Sequence, residues 1–367
     1  MDKVTVKASA APGAERPRAR LDWRRLLRGQ EVGIFLVLVA MIVFLSLTTS
    51  TFLTPVNISN ILLNFSWTAI AALGQTMVII TAGIDLSVGS VMALSGLAAA
   101  MVMAPDKSPF VTPDGQIPTA VVPLGVLVGL GVGSLCGLVN GGLITKAKLP
   151  PFIATLGMLQ IARGITQGWS QGWPVQYLPT EFMVIGRHTF PLGTFQLPLP
   201  SVIMTVLAII AWLFLTRTVW GYRIFATGGN EQAARLSGIN IDRTKLLVYT
   251  LAGLLAGAGG LLLTARLGVA MPTAAMGYEL DVIAAVVVGG TSLMGGEGSI
   301  LGTVIGAAIM GVLRTGLNLL RVEAYWLPAA QGAIIIMAIT MDQWFRRRQG
   351  MRGGLSQLFA GWFRRGG

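Results

Sequence analysis

The chain has 367 residues, of which 53% are apolar and only 11% charged, whereas about 25% of residues are charged in a typical soluble protein. So few charges cannot cover the surface of a soluble globular protein, and so many apolar residues exclude a disordered one. The net charge is +12. The single cysteine and single histidine exclude a disulfide framework and a zinc site built on paired histidines. We therefore predict neither a metal nor a cofactor.

The positive charge is concentrated at the two ends of the chain. Residues 1–31 contain eight Lys or Arg residues, and residues 342–367 contain six. These ends flank a long apolar block, as expected for tails held at the cytoplasmic face by the positive-inside rule. We predict a basic N-terminal tail over 1–31, a transmembrane domain over 32–345 and a basic C-terminal tail over 346–367. Nucleic-acid binding by the tails is the alternative, and we do not expect it.

The apolar block predicts an all-α polytopic membrane protein with about ten membrane-spanning helices, since each crossing needs about 20 mostly apolar residues. The eighth segment has an apolar centre, residues 282–290, that is too short to cross alone, so we expect it to be broken or re-entrant. Nine or eleven spans stay open as alternatives. The predicted spans are residues 32–49, 61–81, 86–103, 123–144, 152–168, 200–215, 246–266, 277–293, 300–320 and 327–344.

Basic residues in the loops predict the orientation of these spans. With the N-terminus inside, 21 of the 27 Lys and Arg residues fall on the cytoplasmic side, four fall outside, and Arg163 and Arg314 lie within spans. This asymmetry predicts that both termini are cytoplasmic. The loops 104–122 and 169–199 are then expected to form the outer surface.

Glycines recur at four-residue spacing within the predicted spans. Gly129, Gly133, Gly137 and Gly141 lie on one face of the fourth span. Small residues at this spacing allow helix backbones to approach closely in lipid. We expect this face to pack within the subunit, with a flexing seam or a subunit interface as alternatives.

Carboxylates within the apolar block are candidates for function, because they are costly in a membrane. In the sequence Gly-Ile-Asp-Leu-Ser, we expect Gly83 to end one helix. Asp85 is then predicted to cap the next helix by accepting from amides at and after Ser87. A direct substrate or proton role for Asp85 is the alternative. Glu279 and Asp281 are predicted to offset the dipole at the start of the short eighth helix.

Amide side chains within the predicted spans suit a neutral, hydroxyl-rich solute, because amides both donate and accept hydrogen bonds. We therefore regard them as a possible substrate path. These residues are Asn64, Gln75, Asn140, Gln160, Gln167 and Asn318.

The chain contains no Gly-Lys dipeptide, so it has no phosphate-binding loop of the G-x-x-x-x-G-K-[ST] type. If ATP drives this protein, another polypeptide must bind the nucleotide.

The longest predicted cytoplasmic loop, residues 217–245, contains signals for a short helix. Gly228, Gly229 and Asn230 are predicted to form a turn and an N-cap. The helix then runs from Glu231 to Ser237, with the carboxylate of Glu231 near the positive end of the helix dipole. Gly238 is expected to end it in a left-handed conformation.

The sequence Gly-Gly-Asn-Glu-x-Ala-x-Arg-Leu-Ser-Gly-Ile in this loop resembles the coupling-helix loop of permeases from bacterial sugar ABC importers, the ribose, xylose, arabinose and galactose type. Gln232 is a departure, since Ala is more usual there. Other motifs of that family are matched in the right order, and the resemblance extends over residues 32–345. The matching structural-motif residues are Gly83, Asp85, Ser87, Gly89, Gly289, Gly290, Gly295 and Gly296.

The resemblance implies a multi-pass permease subunit of the cell inner membrane that moves a monosaccharide, a pentose or hexose, by alternating access. It implies three partners: a second permease copy, a cytoplasmic ATPase and a periplasmic or lipid-anchored sugar-binding protein. The chain itself would perform no covalent chemistry and would not be an enzyme. The residues implied to contact the ATPase are Asn230, Glu231, Ala233, Ala234, Arg235, Leu236, Ser237 and Gly238.

A proton-coupled secondary transporter is the alternative function. It would use Asp85, Glu279 or Asp281 as a titratable group facing a cavity near the membrane midplane. An intramembrane enzyme is a weaker alternative, because one histidine, one cysteine and few buried carboxylates supply no nucleophile–base pair.

Overall fold

The computed structural model describes residues 30–112, 114, 117–326 and a few positions between 328 and 340. The predicted C-terminal tail, nearly all of the N-terminal tail and most of the tenth predicted span, residues 327–344, lie outside the described residues. Helices dominate the described part, which confirms the all-α membrane fold.

The described part contains twelve α-helices and one β-hairpin. The helices are α1 (Gln30–Thr48), α2 (Pro55–Ile80), α3 (Val88–Met103), α4 (Val121–Thr145), α5 (Pro151–Ser170), α6 (Thr180–Arg187), α7 (Leu199–Arg217), α8 (Val219–Gly229), α9 (Glu231–Leu236), α10 (Ile241–Leu267), α11 (Tyr278–Val288) and α12 (Ile300–Leu319). The antiparallel strands are β1 (Thr189–Leu192) and β2 (Phe195–Pro198), between α6 and α7.

Several long helices begin at residues suited to a helix N-terminus. Prolines occupy the first turns of α2, α5 and α7, where the missing N–H would have no intrahelical partner. The side chains of Asn240 and Ser299 accept hydrogen bonds from the backbone amides of Arg243, at 2.9 Å, and Gly302, at 3.3 Å. These two caps fix where α10 and α12 start.

The first nine predicted spans each coincide with a helix, with boundaries shifted by a few residues. Six of the described helices, α1, α2, α4, α7, α10 and α12, are long and apolar enough to cross a membrane. The helix α3 is apolar but has only 16 residues, and α11 has 11. The weak eighth segment is therefore confirmed as short, while the count of ten spans and the cytoplasmic termini stay predictions.

The core forms around α10, which packs against α2, α3 and α4. The glycine face of α4 meets α10 directly: a Cβ atom on Gly133 would lie 3.0 Å from the Cα of Gly257, and one on Gly253 would lie 2.9 Å from the Cα of Gly137. The two backbones therefore touch where both helices lack side chains. Packing within the subunit, the interpretation favoured by the sequence, is confirmed for this face.

The periphery is formed by α1, which packs on α12 and exposes Phe35, Phe44 and Leu47. The predicted outer loop 169–199 has structure of its own, because it contains the helix α6 and the hairpin β1–β2. Its start is fixed by a backbone bridge between Val175 and Ala270. The hairpin and α6 thus cover the ends of α2 and α10 on one side of the bundle.

Candidate coupling surface and membrane polar sites

The short helix α9 begins as the sequence predicts. Asn230 has extended backbone geometry, and its Oδ1 accepts a hydrogen bond from the amide of Ala233 at 2.9 Å. The prediction of a turn before α9 is wrong, however, because Gly228 and Gly229 belong to the last turn of the helix α8. Close packing against Ile80 and Gly296, rather than a turn, explains the glycine at position 228.

The end of α9 also agrees with the sequence. Gly238 has a φ angle of +82°, a left-handed conformation that costs side-chain-bearing residues energy. The amide of Ile239 donates to the carbonyl of Ala234 at 3.0 Å, which closes the helix C-terminus. The helix itself ends at Leu236, one residue earlier than predicted.

One ion pair links α9 to the start of α10, and a second lies within α9. The carboxylate of Glu231 lies 2.7 Å from Lys245 Nζ and 3.5 Å from the guanidinium of Arg235. The hydrogen bond from Lys245 is the main reason that the pKa of Glu231 is lowered. Because the folded pKa is depressed, this stabilisation is present at neutral pH and is lost only as the pH falls through the lowered pKa.

The exposed surface of α9 includes a small apolar part beside its charged and polar side chains. The side chain of Leu236 is 90% exposed, and Ala233 is also exposed. Ala234, by contrast, is only 4% exposed, because it packs against the rest of the protein. An exposed leucine beside an exposed alanine leaves a surface that a partner can approach closely.

Three sequence motifs that are far apart in the chain meet behind this helix. The amide of Gly296 donates to the carbonyl of Ile80 at 2.8 Å, and a Cβ atom on Gly228 would lie 2.7 Å from that same amide nitrogen. A Cβ atom on Gly295 would lie 2.9 Å from the Cβ of Ala82. The end of α2, the end of α8 and the loop before α12 therefore form one backbone junction, which we call the glycine junction (residues 80–82, 228–229 and 295–296).

The first of these motifs differs from the prediction at the helix end. The left-handed residue after α2 is Ala82, with a φ angle of +59°, and not Gly83. The amide of Gly83 donates to the carbonyl of Val78 at 3.1 Å. A Cβ atom on Gly83 would clash with the hydroxyl of Tyr249. Glycine is therefore required at position 83 for close packing and not for its backbone freedom.

Asp85 lies buried between α2 and α3, with 2% of its surface exposed. Its Oδ1 accepts from the amide of Ser87 at 2.8 Å and from the hydroxyl of Ser87 at 2.6 Å. The amide group of Asn140 donates to the same hydroxyl at 3.0 Å. Asp85 thus accepts from the amide of Ser87 as predicted, but it does not cap α3: the N-cap residue is Ser87, whose side chain accepts no hydrogen bond from the first-turn amides. Asn140 on α4 joins the network.

Glycines also accommodate the short helix α11. A Cβ atom on Gly89 would lie 3.5 Å from the backbone nitrogen of Glu279, so α3 passes directly against the start of α11. At the other end, a Cβ atom on Gly289 would lie 2.8 Å from the Cα of Thr303 on α12. Gly290, which follows, has a φ angle of +86°. These contacts explain why the late motif is rich in glycine.

An ion pair inside the bundle was not predicted from the sequence. Asp281 on α11 accepts from Arg314 on α12 at 2.5 Å, and Arg314 also donates to the hydroxyl of Tyr278 at 3.3 Å. Asp281 and Glu279 do lie in the first turn of α11, as expected. The carboxylate of Asp281 therefore neutralises a membrane arginine, and the sequence signal was the presence of Arg314 and Asp281 within predicted spans.

The six amide residues of the possible substrate path do not form one cluster. Gln75 and Asn140 are completely buried, and neither side-chain atom of Gln75 has a partner among the described residues. The other four are exposed on the surface of the single chain. These are Asn64, Gln160, Gln167 and Asn318.

Two of the exposed amides share a face of α5 with glycines. Gln160 and Gln167 lie at helical spacing with Gly157, Gly164 and Gly168, and no atom of the described chain lies within 4 Å of a Cβ atom built on any of these three glycines. This face of α5 therefore has polar and small residues but no partner within the described chain.

Comparison with known proteins places the chain in a family. Residues 57–339 match the family described as "Branched-chain amino acid transport system / permease component". The ribose import permease protein RbsC of Bacillus subtilis (strain 168) is 43% identical over 86% of this chain and 93% of its own length. The D-allose transport system permease protein AlsC of Escherichia coli (strain K12) is 38% identical over 84% and 90%, respectively.

The fructose import permease protein FrcC of Rhizobium meliloti is 36% identical over 86% of each chain. No solved structure matches the chain. The matched region includes α9, the glycine junction and the helices that pack around α10. The chain therefore belongs to the permease-component family of these transport systems.

Proposed function

We propose that this chain is the permease subunit of an ABC importer that moves a monosaccharide across the inner membrane. Its relatives are named as import permeases for ribose and fructose and as a transport-system permease for D-allose, and the chain is a transport subunit rather than an enzyme. The observation that carries the proposal is α9: a capped helix outside the apolar helices, with Leu236 almost fully exposed.

The exposed face of α9 is the proposed docking surface for a cytoplasmic ATPase. Leu236 and Ala233 would enter a groove of the ATPase, while the ion pair between Glu231 and Lys245 holds α9 against α10. The preceding helix α8 ends in the glycine junction, where Gly228 contacts the end of α2. A displacement of α9 on ATP binding would therefore reach the buried helix α2 through backbone contacts.

The path for sugar is proposed to form between two copies of this chain. Amides exposed to lipid would leave hydrogen-bonding groups unsatisfied, so the polar face of α5 requires another partner. A second copy, with Gln160 and Gln167 from each chain facing a common space, would supply donors and acceptors for sugar hydroxyls. The open glycines, such as Gly164, leave room beside these amides.

The proposed arrangement has ten spans and both termini in the cytoplasm. The loop 217–245, with its basic residues, then lies on the ATPase side, and the hairpin β1–β2 faces outward. There, a periplasmic or lipid-anchored binding protein would deliver the sugar.

Proton coupling is the less favoured alternative. Asp281 is paired with Arg314, and Asp85 accepts two hydrogen bonds from Ser87. Each carboxylate is thus engaged by a neighbouring side chain, and the relatives are named as permeases for sugars.

The decisive experiment is uptake of labelled ribose, fructose and allose into proteoliposomes that contain the permease, its ATPase and its binding protein. We expect uptake of one of these sugars that requires ATP and continues in the presence of a protonophore. Uptake that needs no ATP and is abolished by the protonophore would support the secondary transporter instead.

The docking surface is tested in the same system with Ala233→Arg and Leu236→Ala. Arginine at position 233 adds bulk and charge at the contact, so co-purification of the ATPase should fall about tenfold or more. Leu47→Ala is the matched control for Leu236→Ala. Leu47 is also an exposed leucine, at 83%, but it lies at the C-terminal end of α1, far from α9 in the sequence. ATPase binding equal to wild type in both α9 variants would rule out this surface.

A further inference from the structure

A pocket lies where the ends of four elements meet, away from α9. It is formed by the first half of α2, the end of α6, the hairpin β1–β2 and the end of α10. Its volume is about 220 Å³, below the 300–1,000 Å³ typical of pockets for drug-sized ligands. The residues that matter most are Asn60, Arg187, Gln196 and Arg266, with Val56 on its apolar side.

Two arginines line this pocket without an acidic partner. Arg187 donates from Nε to the carbonyl of Arg266 at 3.0 Å and from Nη2 to the carbonyl of Leu267 at 2.9 Å. A guanidinium has five N–H donors, so three remain for another group. Within the described residues, neither Arg187 nor Arg266 forms a salt bridge with a carboxylate. The pocket therefore holds two neighbouring positive charges that lack an anion.

The surroundings of the pocket are apolar and exposed. Leu53 and Val56 near the start of α2 are more than half exposed, and so is Leu192 on the hairpin. Arg187 is the last residue of α6, and Arg266 lies in the last turn of the membrane helix α10. This depth, at the end of a span and beside exposed apolar side chains, is where lipid headgroups meet a membrane protein.

We propose that this pocket binds the phosphate of an anionic phospholipid. The free donors of Arg187 and the guanidinium of Arg266 match phosphate oxygens, because the planar fork of arginine binds phosphate in a bidentate manner. The side-chain amide of Asn60 can donate a further hydrogen bond. The lipid chains would then run along Leu53 and Val56, which the single chain leaves exposed.

The charge and the apolar rim together favour a lipid over a protein carboxylate. A docked acidic side chain would neutralise the arginines but would leave the leucine and valine side chains uncovered. A phospholipid covers both, since it has an anionic group and hydrocarbon in one molecule. The site would add an anchor for one leaflet of the membrane, which goes beyond the proposed transport function and does not depend on it.

The test uses the full chain, purified in a neutral detergent and titrated with phosphatidylglycerol, phosphatidylcholine or inorganic phosphate. Binding is read from native mass spectrometry and from the melting temperature. We expect wild type to retain phosphatidylglycerol about tenfold better than Arg266→Gln does. Phosphatidylcholine should bind weakly to both, and inorganic phosphate should raise the melting temperature of wild type only slightly, because it lacks the chains.

Arg321→Gln is the matched control, since Arg321 is an exposed arginine on the same predicted side but outside the pocket. Arg187→Lys, which keeps the charge but loses the fork, should bind the lipid less well than wild type and should still fold. Equal lipid retention by wild type and Arg266→Gln would overturn the proposal. An equal loss of lipid retention in Arg266→Gln and Arg321→Gln would also overturn it. So would an Arg266→Gln variant that binds the sugar-binding protein less tightly but retains the lipid as well as wild type does.

Discussion

The backbone of Gly238 sets the direction in which the chain leaves α9. Its φ angle is +82°, and no atom lies within 4 Å of a Cβ atom built there. A substitution therefore acts through backbone strain and not through a clash. A substitution at Gly238 therefore tests the backbone conformation after α9 separately from side-chain packing.

We predict that Gly238→Val impairs coupling, because a β-branched residue in this conformation costs about 1–2 kcal/mol. Sugar-stimulated ATP hydrolysis in the reconstituted complex should fall, while membrane levels stay normal. Gly238→Asn is the matched control, since asparagine tolerates the left-handed region best among side-chain-bearing residues. Equal hydrolysis by the valine variant and wild type would show that the exit geometry is unimportant.

Local residue signals were the most predictable. Asn230 and Gly238 were identified as cap and exit because both act within a few residues of their own position. Ala82 and the pair of Asp281 with Arg314 were missed, because each is decided by packing. Ala82 adopts the left-handed conformation, while Gly83 packs closely against the hydroxyl of Tyr249. For the ion pair, no sequence pattern specifies which two helices bring its residues together.

At the scale of elements, the seam between α4 and α10 depends on one face of α4. A Cβ atom on Gly137 would lie 3.0 Å from the Cα of Thr250 and would clash with the carbonyl of Tyr249. Gly131, on the same helix, has no atom within 4 Å of such a Cβ atom. On the same helix, Gly137 is therefore essential for close packing, whereas Gly131 is not.

We predict that Gly137→Leu lowers stability by about 1–3 kcal/mol or more, because the leucine side chain must separate two touching backbones. Gly131→Leu, the control, should change it little. The measurement is the melting temperature of each purified variant, together with recovery of the assembled complex. Similar melting temperatures for both variants would contradict a close-packed seam at Gly137.

The spans were predicted well as elements, since long apolar runs leave little doubt about helices in a membrane. The helix α8 was missed because Gly228 and Gly229 suggest a turn when only local propensity is considered. Tertiary contacts override that propensity: Gly228 packs against the end of α2 and the loop before α12. A pair of glycines that serves packing at the end of a helix can therefore be mistaken for a turn when only the local sequence is considered.

At the scale of the whole molecule, a list of polar residues did not predict a site. Gln75 and Asn140 are buried in the bundle, whereas Gln160 and Gln167 lie on the open face of α5. Residues from one chain cannot complete a path if the second wall belongs to another copy. A single sequence gives the types of side chain but not the assembly that brings them together.

The orientation of the bundle decides whether α9 can meet a cytoplasmic ATPase, and charge predicts it, since 21 of 27 basic residues fall on one side. The buried single cysteine, Cys136, is first replaced by alanine, and cysteines are then introduced singly. In intact cells, an impermeant thiol reagent should label Lys107→Cys, in the outer loop, but neither Arg235→Cys nor Lys148→Cys. After permeabilisation, Lys148→Cys should become reactive, because its lysine side chain is 65% exposed. Labelling of either cytoplasmic position in intact cells would place α9 outside the cell, where no ATPase could reach it.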